Sequence, residues 1–431
     1  MTLFGSSGIR RVVDAPFVDL VGRLGRSVAM GSKRVVVGGD HRLSTPALKA
    51  ALFTGLGEGG AAAFDTGLAP TPTLAYAARH FDAGIMVTAS HNPPEYNGLK
   101  FWNPDGSAFD AVQEAELEHQ TSIAGNQPSG DGIAISVDYP DAIGEHIERI
   151  MKLCPGRLDG LKVALDCGGG AGSVITPKIL GLMGAEVIPV FCDTSSDFPR
   201  DSEPIESNLS ELINTVVSSG ARLGLAHDGD ADRLVAVDSR GQIVSGDKLM
   251  VVLARSLGAR SVVTTVETSM AVEEAGFAVR RTRVGDSAVS AELKIGGGEF
   301  GGEPCGAWIF PDLSYCPDAV HAAAVLCSIA TQTDFDRLLD GVPEYPIVRG
   351  AITFKTPPPV AAIENRLSSL QPDSIQRTDG LKLVFPDSWL LVRLSGTEPK
   401  LRFTVEARTG QDARRLYARA AAAVDSLISG R

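Results

Sequence analysis

The sequence predicts an α/β protein, with three similar α/β domains in tandem and a smaller α+β domain at the C-terminus. Two observations carry this prediction. Short apolar runs alternate with helical stretches, as in parallel strands buried between helices. The unit recurs roughly every 100 to 130 residues, a period too long for a solenoid repeat. After Gly350 the pattern changes, and short strands follow one another.

The three repeated units share one plan of strand, helix and strand. They occupy residues 34–65, 162–190 and 261–279, with helices predicted at 45–56, 174–183 and 269–274. The continuous apolar run Val35-Val36-Val37 is typical of a strand that is buried on both faces. We therefore expect sheets whose strands are mainly parallel.

The C-terminal domain has a different order of elements. Strands are predicted at 351–354, 389–392 and 404–407, and an alanine-rich helix from Asp412 to about Ser429. An order of β, α, β, β, β, α favours a small α+β domain. We expect the four domains to span residues 1–145, 146–243, 244–346 and 347–431.

Composition excludes several classes of protein. The 431 residues carry a formal net charge of −12, opposite in sign to that of a general nucleic-acid binder. An anionic substrate would have to be bound by local cations. The six cysteines form no CxxC pair, which argues against a zinc ribbon or a disulfide framework and fits a reducing cytosol. With no signal-like or membrane-length apolar run, we expect a cytoplasmic protein.

The stretch TASHNPPEYNGLKFW begins at residue 88, directly after an apolar strand. Its two consecutive prolines block both a helix and strand pairing, and the Asn-Gly pair that follows favours a turn. We expect a stiff, exposed loop that presents the hydroxyl of Ser90 beside His91. Taken alone, the pattern is equally typical of an ordinary surface turn.

The sharpest signal is HDGDADRLVAVD, where Asp228, Asp230 and Asp232 form a tight link between two strand-like runs. In an extended segment this spacing places three carboxylates on one face, where they repel one another unless a cation lies among them. All-oxygen ligands suit Mg²⁺ or Ca²⁺, and the pattern is not that of an EF-hand. Mg²⁺ commonly takes a phosphate oxygen as well, which the adjacent Arg233 would suit. A solvated acidic turn is the alternative.

The stretch RLSGTEPKLR is predicted to link two strands of the C-terminal domain. Arg393 and Arg402 offer planar donor forks, and Ser395, Gly396 and Thr397 offer hydroxyl and backbone donors. Such a loop can bind a phosphate, although Ser-Gly-Thr also makes ordinary turns.

Two further loops place polar residues between glycines. In GGEPCGAWIFP, the carboxylate of Glu303 is suited to accept hydrogen bonds from sugar hydroxyls. Cys305 either contacts the ligand or fills space as a small hydrophobe. In FGSSGIRR, a Gly/Ser turn precedes Arg10, which by itself indicates no more than a surface arginine.

In this order, and in four successive domains, these stretches resemble the α-D-phosphohexomutase family, which includes phosphoglucomutase, phosphomannomutase and phosphoglucosamine mutase. The resemblance covers the whole chain, and the motifs at 88–93 and 228–233 are highly specific to the family. It implies mixed sheets in the three α/β domains and four domains arranged around a central cleft. The loops look most like those of archaeal phosphoglucosamine mutases.

The resemblance implies a role for each motif. Ser90 would be the phosphoserine that passes its phosphoryl group to the sugar, and the three aspartates would hold one Mg²⁺ together with it. The Glu303 loop would select the sugar, and the Arg393 loop would hold the phosphate that is not reacting. Family active-site positions are matched by Arg10, His91, Lys100 and Arg233.

Two loops depart from the family pattern. The sugar loop usually reads Gly-Glu-x-Ser-Gly-His, whereas Cys305 and Ala307 stand here in place of the serine and the histidine. In the N-terminal motif, Ser6 and Arg11 stand where the family usually has threonine and glycine. The changes in the sugar loop leave the identity of the sugar open.

The function implied is a mutase that interconverts glucosamine 6-phosphate and glucosamine 1-phosphate, toward UDP-N-acetylglucosamine, through a phosphoserine and a hexose 1,6-bisphosphate. Either Lys100 or His91 would move the hydroxyl proton. Phosphomannomutase or phosphoglucomutase activity is the alternative within the family. A sugar phosphatase and a non-catalytic sugar-phosphate binding protein are alternatives outside it. The expected partners are small sugar phosphates, with no nucleic acid and no membrane, and the expected assembly is a monomer or a homodimer.

Overall fold

The computed structural model describes residues 3–5, 7–123, 136–194, 198–395 and 398–428. Within these ranges the strands form four sheets, with six, four, four and five strands. The first three sheets contain both parallel and antiparallel pairs, and the fourth is antiparallel throughout. The predicted fold class is therefore confirmed.

The first domain is a six-stranded sheet with helices on both faces. Its elements are β1 (Ile9–Val12), α1 (Ala15–Gly31), β2 (Arg34–Gly39), α2 (Thr45–Glu58), β3 (Ala62–Leu68), α3 (Thr71–Ala77), β4 (Ala83–Val87), β5 (Tyr96–Trp102), α4 (Ala111–Ile123) and β6 (Ser136–Asp138). The strand order is β1-β5-β4-β2-β3-β6, and β5 runs antiparallel to both of its neighbours.

Local chemistry explains how the first helix layer is built. Asp14 is the N-cap of α1: its carboxylate accepts a hydrogen bond from the backbone N–H of Phe17 at 2.8 Å. α1 and α2 then cross through glycines, since a Cβ on Gly55 would lie 1.9 Å from the carbonyl oxygen of Gly22. Only glycine allows two helices to approach so closely.

The second and third domains repeat a smaller version of this unit. The second contains α5 (Ala142–Leu153), β7 (Lys162–Asp166), α6 (Thr176–Met183), β8 (Glu186–Val190), α7 (Ser210–Ser219), β9 (Leu223–His227) and β10 (Leu234–Asp238). The third contains α8 (Gly246–Ser256), β11 (Ser261–Thr265), α9 (Ala271–Glu274), β12 (Ala278–Thr282), α10 (Asp286–Glu292), β13 (Phe300–Glu303), β14 (Ala307–Ile309), α11 (Ala319–Gln332) and α12 (Phe335–Asp340). The predicted helices correspond to α2, α6 and α9, with shifted ends.

The second and third domains share one hydrophobic core. Buried side chains of β7 and β9, such as Leu165 and Leu225, belong to the same cluster as Leu249 and Met250 of α8 and Ala323 of α11. Each fully buried large aliphatic side chain contributes roughly 1.5–3 kcal/mol relative to exposure. Such a continuous core holds the two domains together as a unit.

The C-terminal domain has its own core, and it contacts the third domain through a small apolar cluster together with several hydrogen bonds and ion pairs. Its elements are β15 (Ile347–Thr353), α13 (Val360–Ser368), β16 (Ser374–Gln376), β17 (Leu381–Phe385), β18 (Ser388–Leu394), β19 (Lys400–Ala407) and α14 (Gly410–Ile428). The three-residue strand β16 is absent from the predicted order of elements. Trp389 and Leu391 pack on Val266 to form the apolar part of the contact.

The domain boundaries stay predictions, and the one placed at residues 145/146 falls within α5. The six cysteines are free thiols. In the part of the chain that the structure describes, no helix combines the length and the apolar character that crossing a membrane requires.

Candidate active site

The four motifs occupy the same structural position in the four domains. In each domain a strand is followed by a link and an antiparallel partner, and the motif spans that link. The pairs are β4–β5, β9–β10, β13–β14 and β18–β19. A repeated structural unit therefore explains why residues far apart in sequence lie on corresponding loops.

Ser90 is buried at the junction of the first two domains, with 1% of its surface exposed. Its hydroxyl donates a hydrogen bond to Oδ2 of Asp228 at 2.7 Å, and Nδ1 of His91 lies 3.3 Å away. The expectation of an exposed loop is wrong at this residue, because the aspartate loop of the second domain covers the hydroxyl. The backbone of Ser90 has a φ of +52°, a left-handed conformation that is costly outside glycine.

The three aspartates converge on a turn rather than on an extended segment. Ala231 has a φ of +54°, and one carboxylate oxygen from each aspartate lies within 4.8 Å of the others. All three side chains are buried, and Oδ1 of Asp230 and Oδ1 of Asp232 have no hydrogen-bond partner among the described residues. Burial, followed by the charges of Asp232 and Asp230, raises the pKa of Asp228. Unpartnered oxygens on crowded carboxylates fit a hard cation such as Mg²⁺.

Lys100 is the protein's own counter-charge to this cluster. Its ammonium donates to Asp230 at 2.7 Å and also to Asp232. Burial would lower the pKa of Lys100, but these two carboxylates raise it instead, so the ammonium stays charged. Thr71 of α3 donates its hydroxyl to Asp230 as well. One ammonium offsets one of the three carboxylate charges.

Two arginines place positive charge close to Ser90. Arg10 donates to the side-chain oxygen of Asn92 at 2.9 Å, while its Nε has no partner among the described residues. Arg233 donates its backbone N–H to Asp228 at 3.2 Å. Burial, then the charges of Arg233 and Arg10, lower the pKa of His91 to about 4, so its imidazole is neutral at physiological pH.

A cavity of about 440 Å³ lies next to these groups and is lined by all four domains. Each domain contributes at least one charged side chain to the lining; in domain order these include Arg10, Arg233, Glu303 and Arg349. Its volume lies within the roughly 300–1,000 Å³ typical of small-molecule sites. This cavity is the predicted central cleft.

The sugar-loop residues lie on the wall that the third domain contributes. Glu303 accepts a hydrogen bond from the backbone N–H of Gly285 at 2.9 Å, and burial, then the charge of Asp286, raises the pKa of Glu303 to about 7. Cys305 and Ala307 both line the cavity. The loop requires glycine at Gly306, where φ is +99° and a Cβ would lie 2.5 Å from a backbone oxygen of the second domain.

The arginines of the C-terminal loop are not assembled with the other residues. Arg393 donates to Glu267 at 2.7 Å and pairs with Asp379 at 3.1 Å, and Arg402 pairs with Glu398 at 3.4 Å. Neither arginine is among the described residues that line the cavity. The backbone N–H of Ser395 donates to a neighbouring carbonyl, and Gly396 and Thr397 lie outside the described residues.

Comparison with known families agrees with this arrangement. Models of the phosphoglucomutase/phosphomannomutase alpha/beta/alpha domains I, II and III match residues 1–127, 138–241 and 245–345, and the model of the C-terminal domain matches 351–423. The chain belongs to the phosphoglucomutase/phosphomannomutase family. The resemblance to α-D-phosphohexomutases is thereby confirmed.

Individual members of the family match along their whole length. A probable phosphoglucosamine mutase from Methanocella arvoryzae is 41% identical over 99% of each chain. The crystal structure of a phosphoglucomutase/phosphomannomutase family protein from Burkholderia thailandensis has a TM-score of 0.87 at 28% identity, covering 99% of this chain and 98% of the other. The N-acetylphosphoglucosamine mutase of Aspergillus fumigatus, solved with GlcNAc-6P and magnesium, shares the fold with a TM-score of 0.60 at 16% identity, covering 99% and 96%.

Sequence reasoning missed several residues at this phosphoglucomutase/phosphomannomutase family site. Arg349 of β15 reaches the cavity, and Asp286 at the start of α10 accepts a hydrogen bond from Ser7 at 3.0 Å. Arg42 and Arg200 are buried behind the loops. The GGDHR stretch around Arg42 is only a weak indication of a functional arginine, because a single sequence does not distinguish a buried arginine from an exposed one.

Replacing Asp230 with asparagine is expected to weaken Mg²⁺ binding. The substitution removes one of the three converging charges. The affinity for Mg²⁺ should fall on the order of tenfold to 100-fold, the range found even for residues that only hydrogen-bond to metal ligands. Titration calorimetry with Mg²⁺ measures the affinity directly. Asp238→Asn is the control, since Asp238 is a buried carboxylate of the same domain that bonds Arg240 instead. Equal Mg²⁺ affinities for Asp230→Asn and wild type would show that the aspartate cluster is a structural turn and not a metal site.

Substrate affinity is expected to fall as pH decreases through about 7, the pKa of Glu303. A raised carboxyl pKa means that the neutral form dominates below it, and a neutral carboxyl accepts hydrogen bonds from sugar hydroxyls less well than a carboxylate. KM should therefore rise toward acid in wild type but not in Glu303→Gln. The wild-type-to-variant ratio of KM cancels the titration of the substrate phosphate. A ratio independent of pH would show that Glu303 does not contact the sugar in its ionised form.

Proposed function

We propose that this chain is an isomerase that interconverts glucosamine 6-phosphate and glucosamine 1-phosphate through phosphorylated Ser90 and a 1,6-bisphosphate. One observation carries the proposal: the hydroxyl of Ser90 lies 2.7 Å from a buried cluster of three carboxylates, beside a cavity that contains Arg10 and Arg233. Family membership supports the reaction type. The phosphoglucosamine mutase names of full-length relatives support the amino sugar.

The arrangement suits phosphoryl transfer, which depends mostly on positioning and on stabilising negative charge. Arg10 and Arg233 would bind oxygens of the transferring group from the cavity side. Mg²⁺ would be held by Ser90, Asp228, Asp230 and Asp232. When bound, it would supply further positive charge to compensate the negative charge of the transferring phosphoryl group. Lys100 holds Asp230 and Asp232 in position.

In the first half-reaction, the O–P bond of phosphoserine breaks and an O–P bond to a sugar hydroxyl forms. The hydroxyl proton leaves the sugar, and a proton returns to the serine oxygen. The second half-reaction reverses these events with the other phosphate. His91 is placed to exchange the serine proton, because its Nδ1 lies 3.3 Å from Oγ. Of the two candidates for deprotonating the sugar, the neutral imidazole of His91 can accept the proton, whereas the charged ammonium of Lys100 cannot.

The phosphate that is not reacting needs a separate binding site. Arg349 already lines the cavity, and we propose that Arg393 releases Glu267 to bind this phosphate when the C-terminal domain closes. In that movement the ion pair between Arg393 and Glu267 would be exchanged for one between Arg393 and the phosphate. Closure would also exclude water, which would otherwise hydrolyse the phosphoserine.

The remaining expectations stay predictions. They are a cytoplasmic location, a monomer or a homodimer, no nucleic-acid or membrane partner, and hexose 1,6-bisphosphate as intermediate and activator.

Ser90→Ala is expected to abolish turnover while the fold persists. A covalent nucleophile has no substitute, so the rate should fall on the order of 10³-fold or more. The assay follows 6-phosphate and 1-phosphate forms of glucosamine, glucose and mannose together with inorganic phosphate, and mass spectrometry follows Ser90. Ser27→Ala, a buried serine of α1, is the control.

Each alternative gives its own result in this experiment. Release of inorganic phosphate without isomerisation indicates a phosphatase, and binding without turnover or phosphoserine indicates a binding protein. A preference for mannose or glucose phosphate reassigns the enzyme within its family. Full activity in Ser90→Ala ends the phosphoserine proposal.

Arg393→Ala is expected to raise KM equally for all sugar phosphates. A hydrogen bond to a charged group is worth about 1.5–3 kcal/mol, roughly 10- to 100-fold in affinity, and Arg393 would contact phosphate rather than the ring. KM and kcat with three sugar phosphates measure the effect, and Arg377→Ala, in an exposed ion pair of the same domain, is the control. An unchanged KM would indicate that Arg349, and not Arg393, binds the phosphate. A rise in KM confined to one sugar phosphate would indicate that Arg393 contacts the sugar.

A further inference from the structure

Arg42 is a buried arginine whose guanidinium is occupied almost entirely by the backbone of the Ser90 loop. Its Nη2 donates to the carbonyl oxygens of Ser90 at 2.8 Å and Asn92 at 2.6 Å. Its Nη1 donates to those of Pro93 at 2.7 Å and Tyr96 at 2.8 Å. One side chain therefore binds four carbonyls along seven residues, and these carbonyls point into the protein rather than to water.

Asp40 completes this arrangement from the end of β2. Its Oδ2 accepts from Nε of Arg42 at 3.1 Å and from the hydroxyl of Thr88 at 2.7 Å. The same Thr88 oxygen accepts the backbone N–H of Ser90 at 2.8 Å. Both sides of the Ser90 peptide are thus bound to one buried ion pair, which accounts for the persistence of its left-handed φ of +52°.

The aspartate loop has an equivalent pair in the second domain. Arg200 donates to Asp166 at 2.8 Å, to the carbonyl oxygen of Asp201 at 2.8 Å and to that of His227 at 2.7 Å. His227 directly precedes Asp228. Asp166 ends β7, which lies parallel to β9, just as Asp40 follows β2, which lies parallel to β4. Each pair therefore lies beneath one of the two loops that meet at Ser90 and Asp228.

These contacts favour a role beyond stability. A buried ion pair by itself is weak evidence for stabilisation, because desolvation offsets the attraction. Here the arginine donors are directed to loop carbonyls on either side of the reacting residue. Phosphoryl transfer is sensitive to the position of the donor oxygen, and a displacement of about 1 Å can cost on the order of 100-fold in rate.

We propose that Arg42 and Arg200 are positioning residues, which hold the Ser90 loop and the aspartate loop so that the serine oxygen lies in register with the carboxylate cluster. The inference rests on the proposed role of Ser90 as the phosphoryl carrier. Neither arginine lines the cavity among its described residues, so neither should contribute directly to substrate binding.

The test compares Arg42→Lys and Arg200→Lys with Arg79→Lys. Arg79 is a suitable control because it also donates to a backbone carbonyl, that of Tyr76, and to a carboxylate, that of Glu145, but away from both loops. Lysine keeps the positive charge but lacks the planar set of N–H donors with which the guanidinium binds several carbonyls at once. In the two test variants kcat should fall on the order of 100-fold with KM within roughly threefold of wild type, while Arg79→Lys should keep its kcat.

Chemical rescue separates positioning from general loss of structure. In Arg42→Ala, guanidinium at low millimolar concentration should restore part of kcat, whereas methylammonium should not, because only the planar fork can bind several carbonyls. If the Arg42 variants do not fold, Thr88→Val takes their place. It preserves the ion pair but removes the hydroxyl that binds Ser90, and it should lower kcat without raising KM.

Several results would overturn the proposal. These are a wild-type kcat in folded Arg42→Lys or in Thr88→Val, an equal fall in Arg79→Lys, a change confined to KM, and no rescue of folded Arg42→Ala by guanidinium. A wild-type protein without mutase activity would refute the proposed function instead. The two failures are therefore distinguishable.

Discussion

Three aspartate carboxylates within 4.8 Å of one another, all buried, constrain the arrangement of the first two domains. Like charges so close together and away from water raise the free energy of the fold unless cations and donors surround them. The chain supplies the ammonium of Lys100, the hydroxyls of Thr71 and Ser90, and the backbone N–H of Arg233. Two carboxylate oxygens still lack hydrogen-bond partners among the residues that the structure describes, and a divalent cation is the group that would satisfy them.

The same electrostatic demand joins the domains. Lys100, Thr71 and Ser90 belong to the first domain, while the aspartates belong to the second. Each of these hydrogen bonds therefore crosses the interface at the point where the chemistry is proposed to occur. The third domain is joined to the second by a shared apolar core instead. The C-terminal domain is joined to the third by a small apolar cluster with hydrogen bonds and ion pairs around it.

The repeated strand–link–strand unit explains how one chain can build such a site. An antiparallel pair closed by a link presents a loop at the edge of a sheet, where side chains are free of the packing demands of the core. The four loops then differ in chemistry: one carries the hydroxyl of Ser90, one the three aspartate carboxylates, one the carboxylate of Glu303, and one lies between Arg393 and Arg402. In this chain, Cys305 and Ala307 line the cavity on either side of Gly306, whose positive φ the loop requires.

Much of the fold and of the proposed site could be predicted from the sequence, because the relevant signals are local. Strand and helix periodicity indicated the domains, and the spacing of Asp228, Asp230 and Asp232 indicated a cation site, although their convergence comes from the turn at Ala231. Only the tertiary structure decided what lies opposite each loop. It buried Ser90 against Asp228, paired Arg393 with Glu267, brought Arg349 into the cavity, and placed Arg42 under four loop carbonyls. The hydrogen bonds among these contacts join residues from 48 to 138 positions apart, and no local pattern encodes such a contact, because it depends on how distant segments and whole domains pack against one another.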